Sequence, residues 1–311
     1  MKRALLLVAI SAVSASAQVK ITQETGRLAV AIDGKPYTEF FLSPDGNKPY
    51  VYPLRTAGGT LVTRHFPMEQ FPGETHDHPH HRGMFFAHGD VNGVNLWATE
   101  KATKTPQDGS MVLRKVLEAK GGPKTGTIKA VFDALDPQGK PMMTETRTIT
   151  FHAGPDPRII DYEINVKALR AIKFGDTKEG TFGIRLATAL SEDRTGKMVN
   201  AQGASTEKNV WGKRSEWVDY SGTVDGKTVG VAILDHPANP RHPTYWHARA
   251  YGLFAANPFG LHDFYNDKSK DGSLNVPAGQ TITFRYRVVI HEGGLEAAHI
   301  PAIYQQYSSG R

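Results

Sequence analysis

The sequence contains no cysteine, and this absence excludes several kinds of chemistry at once. Without thiols the chain cannot form disulfides, hold zinc through thiolates or use a cysteine nucleophile. Serine chemistry is also poorly supported, because Gly-x-Ser-x-Gly does not occur and Ser191 and Ser215 have no obvious partner. The glycine-rich patterns that bind nucleotide phosphates are missing as well. A chain of 311 residues can bury a core large enough to be stable without cross-links.

Clusters of one charge are also lacking. The formal net charge is +6, but lysine and arginine are scattered along the chain, so we expect no nucleic-acid partner. The first 17 residues place two positive charges before a short apolar run that ends in Ala15-Ser16-Ala17. This pattern predicts a bacterial signal peptide cleaved after Ala17, and therefore a periplasmic or secreted protein. Beyond it the sequence has no apolar run long enough for a membrane-spanning helix.

Short alternating runs of apolar and polar residues recur along the rest of the chain, separated by turn pairs such as Asp33-Gly34 and Asp225-Gly226. Many short strands between turn signals favour an all-β fold, a large antiparallel β-sandwich. No repeat or low-complexity linker divides residues 18–311, so we predict a single domain there. The segment 295–307 predicts a short C-terminal helix that Pro301 interrupts.

Histidine is concentrated in two parts of the chain. Six of the thirteen histidines lie between His65 and Trp97, and four more lie between His236 and His262. Imidazole titrates near neutral pH and is the commonest metal ligand in proteins. This concentration predicts a functional site that two distant segments of the chain form together.

The first segment contains the motif Asp-His-Pro-His-His-Arg-Gly at residues 77–83. Pro79 favours an extended conformation for His78, which would place alternate side chains on one face. The following residues, 84–92, read as a strand with Phe85 and Ala87 toward the core and a polar end toward a cleft. From this segment we predict His78, His80, His81 and His88 as catalytic residues, and Arg82, Asp90 and Asn92 as substrate-binding residues.

The second segment reads as a strand over residues 245–254, with aromatic and basic side chains alternating on one face. Such a row suits a polyhydroxy ligand, because aromatic rings pack on the apolar faces of sugars and guanidinium groups bind oxygen atoms. A third strand, 181–190, turns Arg185 away from its apolar neighbours. We predict His247 as catalytic, and Arg185, His242, Tyr245, Arg249 and Asn257 as substrate-binding residues.

Three functions remain open at this point. The first is acid–base catalysis on a carbohydrate or glycoside of the epimerase, lyase or hydrolase type, which would require no cofactor. The second is an enzyme that depends on a divalent metal, with His78, His80 and Glu74 as candidate ligands. The third is a glycan-binding module without catalysis, which would explain the aromatic residues but not so many imidazoles. We favour the first, with a small-molecule carbohydrate as partner.

Two long motifs, residues 77–93 and 235–260, resemble the bacterial PmoA family of unknown function. The likeness extends to Lys-Glu-Gly-Thr-Phe-Gly-Ile-Arg at 178–185 and Trp-Val-Asp-Tyr-Ser-Gly at 217–222. The name PmoA also denotes a methane-oxidising membrane subunit. Because no span is expected here after the signal peptide, the name implies no such activity for this chain.

A more distant resemblance, through His80-His81-Arg82-Gly83, is to galactose-mutarotase-like supersandwich proteins. It implies a supersandwich fold in which histidine acts as acid and glutamate as base on a sugar ring. His81 and His247 would be the matching histidines. The late glutamate of those enzymes has no counterpart in the strand 281–290, and Glu292 lies just past it. Simple mutarotase activity is therefore not expected, and fold alone does not transfer function.

Overall fold

The computed structural model describes residues 18–43, 48–100 and 104–310. The predicted signal peptide, residues 1–17, lies outside the described residues. The strands are β1 (Val19–Glu24), β2 (Arg27–Ile32), β3 (Lys35–Phe41), β4 (Tyr50–Tyr52), β5 (Met84–His88), β6 (Ser110–Lys120), β7 (Thr125–Leu135), β8 (Pro141–His152), β9 (Arg158–Ala168), β10 (Ile172–Phe174), β11 (Gly180–Arg185), β12 (Lys197–Asn200), β13 (Trp217–Val224), β14 (Lys227–Asp235), β15 (Trp246–Ala248), β16 (Leu253–Ala256), β17 (Leu274–Val276) and β18 (Thr281–Glu292). The helices are α1 (Glu207–Val210), α2 (Leu261–Phe264) and α3 (Ile300–Ser308), with a 3-10 turn at Thr188–Leu190.

Two eight-stranded antiparallel sheets make up most of the structure. The first sheet has the order β1-β2-β3-β4-β5-β11-β16-β15, and the second has the order β12-β13-β14-β18-β9-β8-β7-β6. The predicted fold class, an all-β chain with a large antiparallel sandwich and a short C-terminal helix, is confirmed. The helix begins later than predicted, at Ile300, because Pro301 fits the first turn, where no amide hydrogen is needed. No helix within the described ranges is long and apolar enough to cross a bilayer.

The core lies between the two sheets because side chains alternate along each strand. In β2, Leu28, Val30 and Ile32 are buried, whereas the residues between them are half-buried on the other face. Aromatic rings join the sheets across the core: Phe182 of the first sheet stacks on Tyr286 of the second, with ring centroids 4.5 Å apart. Burial of each such ring contributes about 1.5–3 kcal/mol to stability.

The opposite face of the first sheet, which we call the outer face, carries a straight row of paired residues across neighbouring strands. Tyr50 pairs with Phe85, Phe85 with Gly183, Gly183 with Ala255, and Ala255 with His247. We call these five residues the outer row. Register therefore brings β4, near the start of the chain, and His247, near its end, onto one surface.

Two segments differ from their predicted conformation, a strand over residues 245–254 and an extended run around His78. Residues 245–254 form a hairpin, because the chain turns between β15 and β16 at Gly252, whose φ of +89° favours glycine. The segment 77–83 is a turn, in which the amide of His81 donates to the carbonyl of His78 at 3.0 Å. The side chain of Arg64 forms hydrogen bonds to backbone carbonyls in this region, which stabilise the turn over an extended conformation.

Candidate functional site

A pocket of about 540 Å³ lies on the outer face of the first sheet. Three separate stretches of chain supply its walls: the first histidine segment, the loop before β11 and the β15–β16 hairpin. The side chains that line it include His78, His80, His81, Trp97, Lys178, Glu179, His247, Arg249 and Tyr251. The structure thus brings together the two segments in which histidine is concentrated, and we call this cavity the histidine pocket.

Arg64 organises the loop that carries His78, His80 and His81. Its guanidinium is fully buried and donates hydrogen bonds to three backbone carbonyls in the range 66–78. It also donates to Asp77 Oδ1 at 2.6 Å, and Arg185 donates to the same oxygen at 2.8 Å. Burial acts to raise the pKa of Asp77, but the charge of Arg185 and the hydrogen bond with His78 outweigh it and lower this pKa. Asp77 is therefore a fixed anion beneath the pocket.

His78 is oriented by this anion. Its Nδ1 lies 2.5 Å from Asp77 Oδ2, and its ring stacks on His81 and on Tyr251, with centroids 4.9 and 5.2 Å away. Because Asp77 is an acceptor, the hydrogen of a neutral His78 ring belongs on Nδ1, which leaves the lone pair on Nε2. With 43% of its side chain exposed, His78 is open to a ligand in the pocket.

The other three histidines of the pocket are neutral; His81 and His247 are buried and His80 is half-buried. Burial lowers the pKa of His80 to about 3, with the charge of Lys48 acting in the same direction. Burial and the charge of Arg249 lower the pKa of His247 to about 3. Burial also holds the pKa of His81 well below its usual value. At neutral pH these rings can donate and accept hydrogen bonds, but they carry no charge.

Glu179 is the carboxylate of the pocket, and no pattern in the sequence marked it as a site residue. Burial raises its pKa above the usual 4.5, against the opposing charges of Lys178 and His78. The side chain is 38% exposed, so it remains in reach of solvent. Asn257 holds this loop, since its Nδ2 donates to the carbonyls of Thr177 and Lys178 at 3.0 and 2.9 Å. Asn257 therefore positions the loop.

Several buried polar atoms around the pocket have no hydrogen-bond partner within the described residues. They include His81 Nε2, His247 Nδ1 and Trp97 Nε1. Buried polar groups are nearly always paired, and each unpaired one costs about 1–3 kcal/mol. A concentration of such atoms in the walls of one cavity is typical of a site that a polar ligand completes.

His88 does not reach the pocket, because β5 faces the opposite way from the prediction. Phe86 and His88 point into the core between the sheets, whereas Phe85 and Ala87 lie on the outer face under Trp97. Nε2 of His88 is 2.9 Å from the carbonyl oxygen of Gly175. Every residue of β5 is buried, so alternation alone could not tell which face is which.

Other predicted site residues have partners elsewhere. Asp90 accepts from the amide of Gly93 at 2.7 Å, and Asn92 from that of Lys173 at 2.8 Å, which places both in turns. His242 lies against Asp235 at 2.7 Å, and the hydroxyl of Tyr245 meets that of Tyr265 at 3.2 Å; neither lines the histidine pocket. Arg82 pairs with Glu100 and lines a neighbouring groove instead.

Arg185 lies beneath the histidine pocket. Its guanidinium is 4.6 Å from the centroid of the Tyr251 ring and 3.5 Å from His81 Nδ1. Since it is almost fully buried and bound to Asp77, it supports the pocket from below.

The proposed metal ligands are not arranged around one point. Glu74 accepts hydrogen bonds from Nδ1 and the backbone amide of His65, both at 2.9 Å, and is nearly buried. Among residues 18–43, 48–100 and 104–310, no group of three or more histidine, aspartate or glutamate side chains could hold a metal ion. A metal-dependent function stays a prediction of the sequence.

Comparison with known proteins places the chain in a family but does not identify a substrate. Residues 27–305 match the model of a family of unknown function, DUF6807. No curated protein matches the chain. A solved structure similar to it is a galactose mutarotase-like protein from Lactobacillus casei, at 9% identity and a TM-score of 0.40, covering 88% of this chain and 100% of that one. Another is an alpha-galactosidase from Lactobacillus brevis, at 8% identity and a TM-score of 0.42, covering 93% of this chain and 42% of that one.

Proposed function

Because the chain belongs to the DUF6807 family of unknown function, we propose a function from its pocket: acid–base catalysis on a carbohydrate or modified glycoside. The observation that carries this proposal is that Glu179 and His78, two partly exposed side chains that can carry protons, line one pocket whose other histidines are neutral. Export to the periplasm or the medium is part of the proposal and rests on residues 1–17. The PmoA designation stays a prediction.

Glu179 is the proposed base. A carboxylate whose pKa is raised by burial binds a proton more strongly than a solvated one, and proton transfer is most efficient when that pKa approaches the working pH. His78 is the proposed acid in its protonated form, in which Asp77 holds Nδ1–H and Nε2–H is the proton to be donated. A proton that leaves the sugar for Glu179 would be matched by the Nε2 proton that His78 delivers to another atom of the sugar, which leaves His78 neutral and Glu179 protonated.

The neutral histidines would act as hydrogen-bonding groups. Hydroxyl groups and a developing oxyanion on the sugar need donors that are already in place, and His80 and His247 can supply them without adding positive charge. Trp97 also lines the pocket, and its indole Nε1–H, which has no partner within the described residues, is a further donor for such a group. A volume of about 540 Å³ falls in the usual range for small-molecule sites, roughly 300–1,000 Å³.

The test is turnover across a panel of glycosides, oxidised glycosides and uronides. Glu179→Gln and His78→Asn should each lower the turnover number by about 10²–10⁴ without loss of folding, because each removes one proton-transfer group. Glu118→Gln and His152→Asn are matched controls, since both residues lie on the second sheet, and they should leave the rate unchanged. Unchanged turnover in Glu179→Gln would refute the proposal. Binding of a sugar without turnover by the wild type would favour a glycan-binding module instead.

A further inference from the structure

We propose that a second groove on the outer face is a binding subsite for the same ligand, so that the ligand is an oligosaccharide and not a single sugar. This inference rests on the proposed carbohydrate function of the histidine pocket. The groove, which we call the strand groove, has a volume of about 840 Å³ and lies over β2, β3 and β4. Its lining includes Arg27, Glu39, Phe41, Tyr50, Tyr52 and Arg82.

The strand groove contains an aromatic platform with charged groups beside it. The rings of Phe41 and Tyr50 stack with centroids 4.7 Å apart and an interplanar angle of 11°. The guanidinium of Arg82 lies 5.7 Å from the centroid of Tyr50, and Arg27 pairs with Glu39 at 3.3 Å. A flat apolar surface beside guanidinium and carboxylate groups matches a sugar ring, whose faces are apolar and whose rim consists of hydroxyl groups.

A polar atom in the lining of the strand groove also lacks a partner. Nε of Arg82 has no hydrogen-bond partner within the described part of the chain. Arg82 does not line the histidine pocket, so this atom indicates a second place where a polar ligand is accommodated.

The strand groove and the histidine pocket share one floor. Phe41 and Tyr50 of the groove belong to the same apolar cluster as Trp97 and Tyr251 of the pocket. Consecutive residues of one segment line the two cavities, since His81 lines the pocket and Arg82 lines the groove. A ligand that crosses this segment would contact both.

The distance between Phe41 in the strand groove and His247 at the far side of the histidine pocket determines the size of a ligand that contacts both. Phe41 pairs with Tyr50 and so extends the outer row by one strand, which puts it five strand spacings from His247. At roughly 4.8 Å between neighbouring strands this is about 24 Å. One sugar ring cannot contact both ends, whereas a chain of several rings can.

The experiment measures affinity against chain length. The full-length protein with Glu179→Gln, which should bind without turnover, is screened on an array of glycans from single sugars to hexasaccharides, and bound members are titrated by calorimetry. We expect affinity to rise with chain length. Adding Phe41→Ala should weaken the longest ligand about tenfold and leave the single sugar unchanged, because only the platform is lost. Phe41→Tyr keeps an aromatic ring at this position and should retain the rise in affinity with glycan chain length.

Two further variants keep the test independent of folding. Arg27→Gln changes a side chain that is 42% exposed, and it should weaken long glycans in the same way. Leu117→Ala removes an exposed apolar side chain from the second sheet and should change nothing. Affinity that does not depend on chain length, or long-glycan affinity that survives both Phe41→Ala and Arg27→Gln, would overturn the subsite and leave the histidine pocket standing. Binding of no glycan at all would overturn both proposals.

Discussion

Asp77→Asn should lower the free energy of unfolding by about 2–3 kcal/mol at pH 7. Asp77 is the shared anion of Arg64 and Arg185, whose side chains are only 0% and 1% exposed. Removing one partner of a buried ion pair costs about 3–5 kcal/mol, because the remaining charge is left uncompensated. Since Asp77 itself is 36% exposed, solvent screens part of this cost and we place the expected value below that range. Asparagine has nearly the same shape, so packing should change little.

The pH dependence of this effect has a definite sign. The pKa of Asp77 is lower in the folded protein than the value of about 3.9 in an unfolded chain. A carboxyl of this kind contributes its full stabilisation above the unfolded pKa and loses it as the pH falls toward the folded pKa. The difference between wild type and Asp77→Asn should therefore be constant from pH 7 to about pH 5 and shrink below about pH 4.

Urea unfolding, followed by circular dichroism at neutral and acidic pH, measures both effects. Asp133→Asn is the matched control, because Asp133 pairs with Arg114, whose side chain is 49% exposed. An exposed pair of this kind contributes less than about 1 kcal/mol. A loss below about 1 kcal/mol in Asp77→Asn, or a loss that stays the same at pH 3, would refute the reasoning that two buried guanidinium groups depend on this carboxylate.

Three other measurements test separate parts of the structure. Asp219 and His291 form a fully buried pair 2.8 Å apart, in which the hydrogen bond and the charge of Asp219 outweigh burial and raise the pKa of His291. Asp219→Asn should therefore lower the free energy of unfolding by about 3 kcal/mol at pH 6 and by less at pH 9, as measured by urea unfolding. Gly83→Ala should lower the melting temperature, because Gly83 has a φ of +51° and an added Cβ would lie 2.2 Å from the carbonyl oxygen of Val51. The rate of the wild type should fall on the acid side with an apparent pKa above 4.5, and Glu179→Gln should remove that limb of the profile.

The local sequence pattern was enough to predict the fold class. The alternation in segments such as Arg27–Ile32 and the turn pair Asp33-Gly34 reflect the two-residue period of a strand and the backbone freedom of glycine, which depend only on neighbouring residues. The same pattern failed for Met84–His88, because a strand buried on both faces has no polar face to mark its direction. It also failed for residues 245–254, where a turn at Gly252 divides an apparently continuous strand.

Sequence alone determined that this chain has no thiol chemistry, folds as an all-β protein and concentrates its imidazoles in two segments. Only the tertiary structure decided which of those imidazoles meet, because register across β5, β11, β16 and β15 sets the distance between residues far apart in the chain. It alone brought Glu179 to them, through contacts of Asn257 with residues about 80 positions away. The charge of each histidine was also decided only by the tertiary structure. Identical side chains are neutral or titratable according to their burial and to neighbouring charges, and both of these arise only when the chain folds.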